Sequence, residues 1–191
     1  MKLVVGISGA TGAIYGIRVL QVLKACQIKT HLVMSDSAKR TIKTETNFTV
    51  NEVEKLADFI HDNRDIGASI SSGSFKTDGM IIAPCAIKSL SALSNSYNDS
   101  LLIRAADVML KEKRKLVVIP RETPLHIGHL KMMAAVAEMG AVILPPMPAF
   151  YIMPKTIDEI INQTVGKALD QFDIEQNSLN NRKGGLEDGF T

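Results

Sequence analysis

The stretch that most constrains this chain lies at its start, where "KLVVGISGATGAIYGIRVL" passes from a nearly continuous apolar segment into a glycine-rich bend and then into apolar residues at helical spacing. Leu3, Val4, Val5 and Ile7 predict a buried strand and Gly12 to Leu23 a helix, so Gly6 to Gly12 must be a tight strand-to-helix turn. The backbone N–H groups of such a turn, together with the positive end of the helix dipole, face whatever lies above them. An anion is the expected guest. The glycines Gly6, Gly9 and Gly12 are spaced G-x-x-G-x-x-G rather than the G-x-G-x-x-G of dinucleotide sites, so a packing turn without a ligand also fits. The hydroxyls of Ser8 and Thr11 tilt the reading toward a phosphate, because both can add donors around it.

Strands and helices alternate through the rest of the chain. Strands are predicted at 29–35, 78–85, 115–120 and 141–146, and helices after a Ser35 or Asp36 cap, over 50–60, over "PCAIKSLSALSNS", over 99–114, over 123–140 and from about Thr156 to Phe172. Pro124 suits the first turn of its helix and Gly140 the end of it. Five apolar strands separated by helices predict a single-domain three-layer α/β sandwich, Rossmann-like or flavodoxin-like, with a mainly parallel sheet. That domain covers residues 1–172, and 173–191, poor in large apolar residues, reads as a flexible or subunit-docking tail.

Composition excludes several classes. A length of 191 residues with 46% apolar content suits one domain with a sizeable core. A net charge of +2, scattered basic residues, 5% aromatics and no Trp argue against nucleic acid as a partner. No apolar run approaches the ~18 residues of a membrane span. Cys26 and Cys85 lie far apart in apolar settings and read as reduced core residues of a cytoplasmic protein. His126 and His129, three apart on a predicted helix, read as packing or capping histidines, which leaves no metal site.

In a parallel sheet ligands collect beyond the carboxyl ends of the strands. That rule gathers "SGATG", Ser35 with Asp36, "PCAIKS", "PRETP" and "PPMPAFY" onto one rim. Arg121 and Glu122 leave a strand together there, although a solvated ion pair would look the same. Arg104 and Lys111, seven residues apart, share a helix face and form a cationic stripe, which a solvated face would also explain. The segment "SGSFKTDGM" needs either a turn role or a ligand role. "PPMPAFYIMP", with four prolines in ten residues, presents Phe150 and Tyr151 rigidly and suits a flat apolar ring.

The motifs "GISGATGAIYG", "SGSF.TDGMIIAPC", "RAADV.LKEKR.LVVIPRE.PL" and "GAVILPP.PAFY..P.TI" resemble, in order and over residues 2–172, the flavin prenyltransferase (UbiX-like) family. The resemblance implies an FMN-binding sheet, assembly into a homododecamer, and transfer of a dimethylallyl group from dimethylallyl monophosphate to reduced FMN. The product, prenylated FMN, would serve a UbiD-type decarboxylase. It also implies FMN contacts at Gly9, Ala10, Thr11, Ser35, Ala86, Ile87, Lys88, Ser89 and Arg121. Prenyl-phosphate contacts fall on Arg104, Lys111, Arg121, Tyr151 and Lys167, and catalytic roles on Glu122, Glu45, Lys111, Arg104 and Tyr151. Lys167 stands where many members carry Arg, and the missing Trp leaves Phe75 or Tyr97 for its aromatic wall. Two rivals are a cysteine-decarboxylase-type flavoprotein and a non-catalytic FMN-binding accessory subunit of a decarboxylase.

Overall fold

The computed structural model describes residues 1–175 of the 191. Six strands, β1 (Lys2–Ile7), β2 (Lys29–Met34), β3 (Phe59–Asp62), β4 (Gly79–Cys85), β5 (Lys115–Pro120) and β6 (Val142–Ile143), form one sheet in the order β3-β2-β1-β4-β5-β6. Every pairing is parallel. Seven helices cover it: α1 (Ala13–Ala25), α2 (Asp36–Glu45), α3 (Val50–Glu54), α4 (Ile87–Ser94), α5 (Leu101–Lys111), α6 (Ile127–Glu138) and α7 (Ile157–Asp170). Alternation along β1 divides the core, since Leu3, Val5 and Ile7 pack under α1, α2, α3 and α7 while Val4 packs under α4, α5 and α6. The expected three-layer parallel sandwich is therefore present.

Three local expectations change. The stretch 50–60 holds a helix and a strand rather than one helix: a Thr49–Glu52 capping box starts α3, which ends at Glu54. Asp58 Oδ2 then accepts from the Thr30 N–H at 2.8 Å and lays the chain along β2 as β3. Its exposed edge position explains why the strand lacks a clear apolar signature. The strand expected at 141–146 shrinks to Val142–Ile143, because Pro145 and Pro146 have no N–H for the ladder. The helix expected from 123 begins at Ile127, behind a His126 ring that accepts from the Gly128 N–H at 3.0 Å, so Pro124 stands outside it.

The Ser- and Gly-rich segment before β4 lies at the amino-terminal edge of the sheet, opposite the ligand rim. There it forms a turn, held by the Arg114 guanidinium donating to the carbonyls of Phe75 and Gly73. At the far end of the domain Ile174 is buried against the core, past the boundary drawn at 172. The remainder of the expected tail, 176–191, lies outside the described residues. Among those described, no helix is long and apolar enough to cross a membrane.

Candidate FMN and phosphate site

The strand order places the topological switch between β1 and β4, where connections leave in opposite directions and open a crevice. The glycine bend after β1 and the "PCAIKS" segment after β4 meet at that crevice. Ser8, 1% exposed, joins them: its hydroxyl donates to the Pro84 carbonyl at 2.9 Å and accepts from the Ala86 N–H at 2.6 Å. This hydroxyl is consumed inside the fold, so Ser8 is a strut rather than the phosphate donor its position suggested. Gly9 has no room for a side chain, since a Cβ would stand 2.2 Å from the Ser37 Cβ. Gly12 takes φ +93°, a left-handed conformation suited to glycine.

Helices starting at this rim are capped in different ways. Ser35 accepts from the Ala38 N–H at the start of α2, and Asn63 takes the first N–H groups of α5, Leu101 through its carbonyl and Leu102 through Oδ1. The Gly12 N–H before α1 is bound by Glu45 Oε2 at 2.8 Å. No side chain caps α4, and its first turn, Ile87, Lys88 and Ser89, opens on the crevice behind Ala86. An uncapped helix N-terminus beside a lysine is a fitting seat for the anionic end of FMN. The crevice is lined by Gly9, Ser35, Asn63, Ala86, Lys88 and Ser89 among others, and Lys88 reaches Asp99 at 3.5 Å near its mouth. It encloses about 140 Å³, less than the ~300–1,000 Å³ of most small-molecule sites. One chain thus surrounds only part of a nucleotide-sized ligand.

Arg121 and Glu122 follow β5 beside the crevice. The Arg121 N–H is tied to the Cys85 carbonyl at 3.1 Å, and Glu122 Oε1 accepts from the Thr123 N–H at 3.0 Å. The Arg121 charge reaches Tyr15, whose phenol is raised by burial and pulled back by a hydrogen bond with Thr164 and by that charge. Burial pushes the Cys85 thiol up to about 12, so it is an inert core group at neutral pH. Both cysteines are unpaired. Among the described residues no group of three His, Cys, Asp or Glu side chains is placed to hold a metal ion.

The structure therefore brings Gly9, Ala10, Thr11, Ser35, Ala86, Ile87, Lys88, Ser89, Arg121, Glu122 and Glu45 to one rim. It does not bring four of the expected phosphate contacts into the crevice of the same chain. Arg104 and Lys111 share a face of α5, but two helical turns, about 10 Å, separate them, and Lys111 sits at the opposite edge beside Glu112 and Gly73. Tyr151 is 71% exposed in the loop before α7, and Lys167 is exposed in the last turn of α7. Phe75 packs at the amino-terminal edge against His31, while Tyr97 is 66% exposed. Sequence reasoning missed Asn63, Ser37 and the Asp99–Ser100 wall. Asn63 directly follows β3 in a segment that reads as a polar connection, and the wall reads as the start of the helix over 99–114.

A family model described as Flavoprotein matches residues 1–170. Flavin prenyltransferase UbiX of Thauera aromatica is 62% identical over 175 residues, covering 92% of this chain and 90% of that protein. A crystal structure of AnUbiX in complex with FMN and dimethylallyl pyrophosphate superposes with a TM-score of 0.91 at 50% identity, covering 92% of this chain and 93% of that one. A dodecameric FMN-dependent UbiX-like decarboxylase from Escherichia coli O157:H7 gives the same score at 51% identity, covering 93% and 97%. The peptidyl-cysteine decarboxylase EpiD shares the fold alone, at 17% identity and a TM-score of 0.60. A parallel sheet with an anion seat at its switch point defines a nucleotide- or flavin-binding α/β protein, and the chain belongs to the Flavoprotein family. Within that family it falls among the UbiX-type flavin prenyltransferases.

Proposed function

We propose that this protein transfers a dimethylallyl group from dimethylallyl monophosphate to reduced FMN. The observation that carries this reading is the switch-point crevice, where an uncapped helix, Lys88, Arg121 and two carboxylates share one rim. When bound, reduced FMN supplies an electron-rich ring that accepts the prenyl carbon.

The residues of the chain divide the remaining work. Gly9, Ala10, Thr11, Ser35, the Ala86–Ser89 turn and Arg121 would hold the flavin nucleotide. The donor's phosphate leaves with its bonding electrons while positive charge grows on the allylic carbon, so cations must grip the one and water be kept from the other. Arg104, Lys111, Arg121 and Lys167 are the cations, with Tyr151 as a hydroxyl donor, and aromatic faces suit the carbon fragment. Glu122 and Glu45 each have one oxygen tied to a backbone N–H. The second oxygen of each is the one that takes and returns a proton.

Because Arg104, Lys111, Tyr151 and Lys167 stand away from their own crevice, the complete site forms between copies. A dodecameric relative and the exposed apolar run Met147, Phe150, Tyr151, Met153 and Ile157 support assembly of this chain into a homododecamer. Prenylated FMN then passes to a UbiD-type decarboxylase in the cytoplasm, a setting consistent with two unpaired thiols.

Anaerobic incubation with reduced FMN and either dimethylallyl monophosphate or the pyrophosphate tests the reading. Mass spectrometry is expected to find flavin heavier by one prenyl group with the monophosphate. Unmodified flavin that stays bound would instead mark a flavin-holding accessory subunit.

A further inference from the structure

We infer that Asp107 is a positioning residue that aims Arg104 at the donor phosphate, an inference that rests on the reading of Arg104 as a phosphate-binding cation. On α5 the residues Leu101, Leu102, Ile103, Ala105, Ala106, Val108 and Met109 are buried and Leu110 partly so, which leaves the charged residues Arg104, Asp107 and Lys111 as an outward stripe. Asp107 stands between the two cations, one turn after Arg104 and one turn before Lys111. Its Oδ2 accepts from Arg104 Nη1 at 3.0 Å. The Asp107 and Arg104 side chains are 17% and 29% exposed, so the pair is partly shielded from solvent.

A second bond separates this contact from an ordinary surface pair. The same Oδ2 accepts from Asn98 Nδ2 at 3.1 Å, and Asn98 belongs to the turn whose next residues, Asp99 and Ser100, wall the crevice. Asn98 Oδ1 is buried without a hydrogen-bond partner among the described residues. The carboxylate therefore locks three things together: the guanidinium, the crevice wall and the outer face of α5. A guanidinium has five N–H donors in one plane, so fixing one of them fixes the direction of the others toward a phosphate. Asp107 puts a negative charge beside an anion site, and only its hold on Arg104 and Asn98 offsets that charge.

The test is calorimetric titration of dimethylallyl monophosphate into FMN-loaded protein, with steady-state kinetics alongside. Arg104→Ala is expected to weaken donor binding and Asp107→Ala to weaken it about tenfold, with KM rising in step, kcat changed less than KM, and FMN affinity falling less than donor affinity. Asp107→Asn, which keeps an acceptor oxygen, recovers part of the loss. The double variant binds no more weakly than Arg104→Ala alone. Unchanged or tighter binding in Asp107→Ala beside a weakened Arg104→Ala overturns the proposal and leaves the phosphate reading standing, as do losses that multiply in the double variant. Unchanged binding in Arg104→Ala overturns both. A thermal midpoint for each variant separates misfolding from misaiming, and Asp107→Asn carries the test if Asp107→Ala does not fold.

Discussion

Helices α5 and α6 are adjacent in sequence order, of similar length and both rich in apolar residues, yet they finish differently. Seven of the 11 residues of α5 are buried by its own chain, whereas Val136 is the one buried residue among the 12 of α6. Ile127 and Leu130 stand 67% and 47% exposed on α6, and Phe150 and Tyr151 in the loop before α7 are exposed as well. The difference teaches that the half of the domain built on β1, β2 and β4 is closed within one chain, and the half beyond β5 is left open. An apolar face of that extent on an isolated chain marks an interaction surface. The switch-point crevice lies in the closed half; the aromatic loop lies in the open one.

The sharpest way to break this comparison is a paired charge. Val108→Asp buries an unpaired carboxylate under α5 and is expected to abolish folding, a loss above about 4 kcal/mol, seen as missing soluble protein with native circular dichroism. Ile127→Asp on α6 is expected to leave the circular dichroism intact while light scattering reports a smaller assembly and activity falls. If Ile127→Asp unfolds the chain as Val108→Asp does, the open half is not open.

A smaller loss is expected from Gly16→Ala in the closed half. A Cβ there would stand 2.2 Å from the Ala83 carbonyl and press on Ile7, so α1 must lift from the sheet. Such overpacking costs about 3 kcal/mol, read as a lower thermal midpoint with no change in assembly. Unaltered stability would show slack where the structure has none.

Next in size is the effect of pH on β2. His31 is buried, its Nδ1 stands 2.9 Å from His61 Nε2, and its ring stacks on Phe59. Burial, then the charges of His61 and Lys2, hold it at about 4, below the 6.5 of a free histidine, against a weaker pull from Asp58. The fold thus keeps His31 neutral, while the unfolded chain binds a proton first as pH falls. Stability is full above pH 6.5 and drains as the solution is acidified toward pH 4, with a loss of about 2 kcal/mol between neutrality and pH 5. Urea unfolding of wild type and His31→Gln at both pH values measures it; equal slopes would show that another group carries the acid sensitivity.

The smallest effect is expected from Ser8→Ala, which strands the Ala86 N–H at the switch-point crevice. The cost is about 1 to 2 kcal/mol, and FMN affinity, followed by fluorescence quenching, should fall with it. A loss of stability with full FMN affinity would confine Ser8 to the core.

Much of the closed half was legible in the sequence. The alternation of apolar strands with helical spacing, the glycine bend and the proline-bounded "PCAIKS" turn led to the parallel sheet and to one rim of polar groups. What escaped was settled by contacts remote in sequence. The helix read through 50–60 breaks because Asp58 finds Thr30, and the Ser8 hydroxyl is spent on Pro84 and Ala86, 76 and 78 residues away. The stripe of Arg104 and Lys111 was correctly placed on one helix face, but a face does not say which end of the sheet each residue reaches.

By itself the sequence determined most of the strands and helices, though not β3, that the sheet is parallel, and that one set of polar segments gathers beyond its carboxyl ends, because periodicity, glycine and proline act over a few residues. Only the tertiary structure decided which hydroxyls and cations remain available to a ligand. A hydrogen-bonding group serves the site only after the fold has left it unspent, and the partners that spend it come from distant parts of the chain.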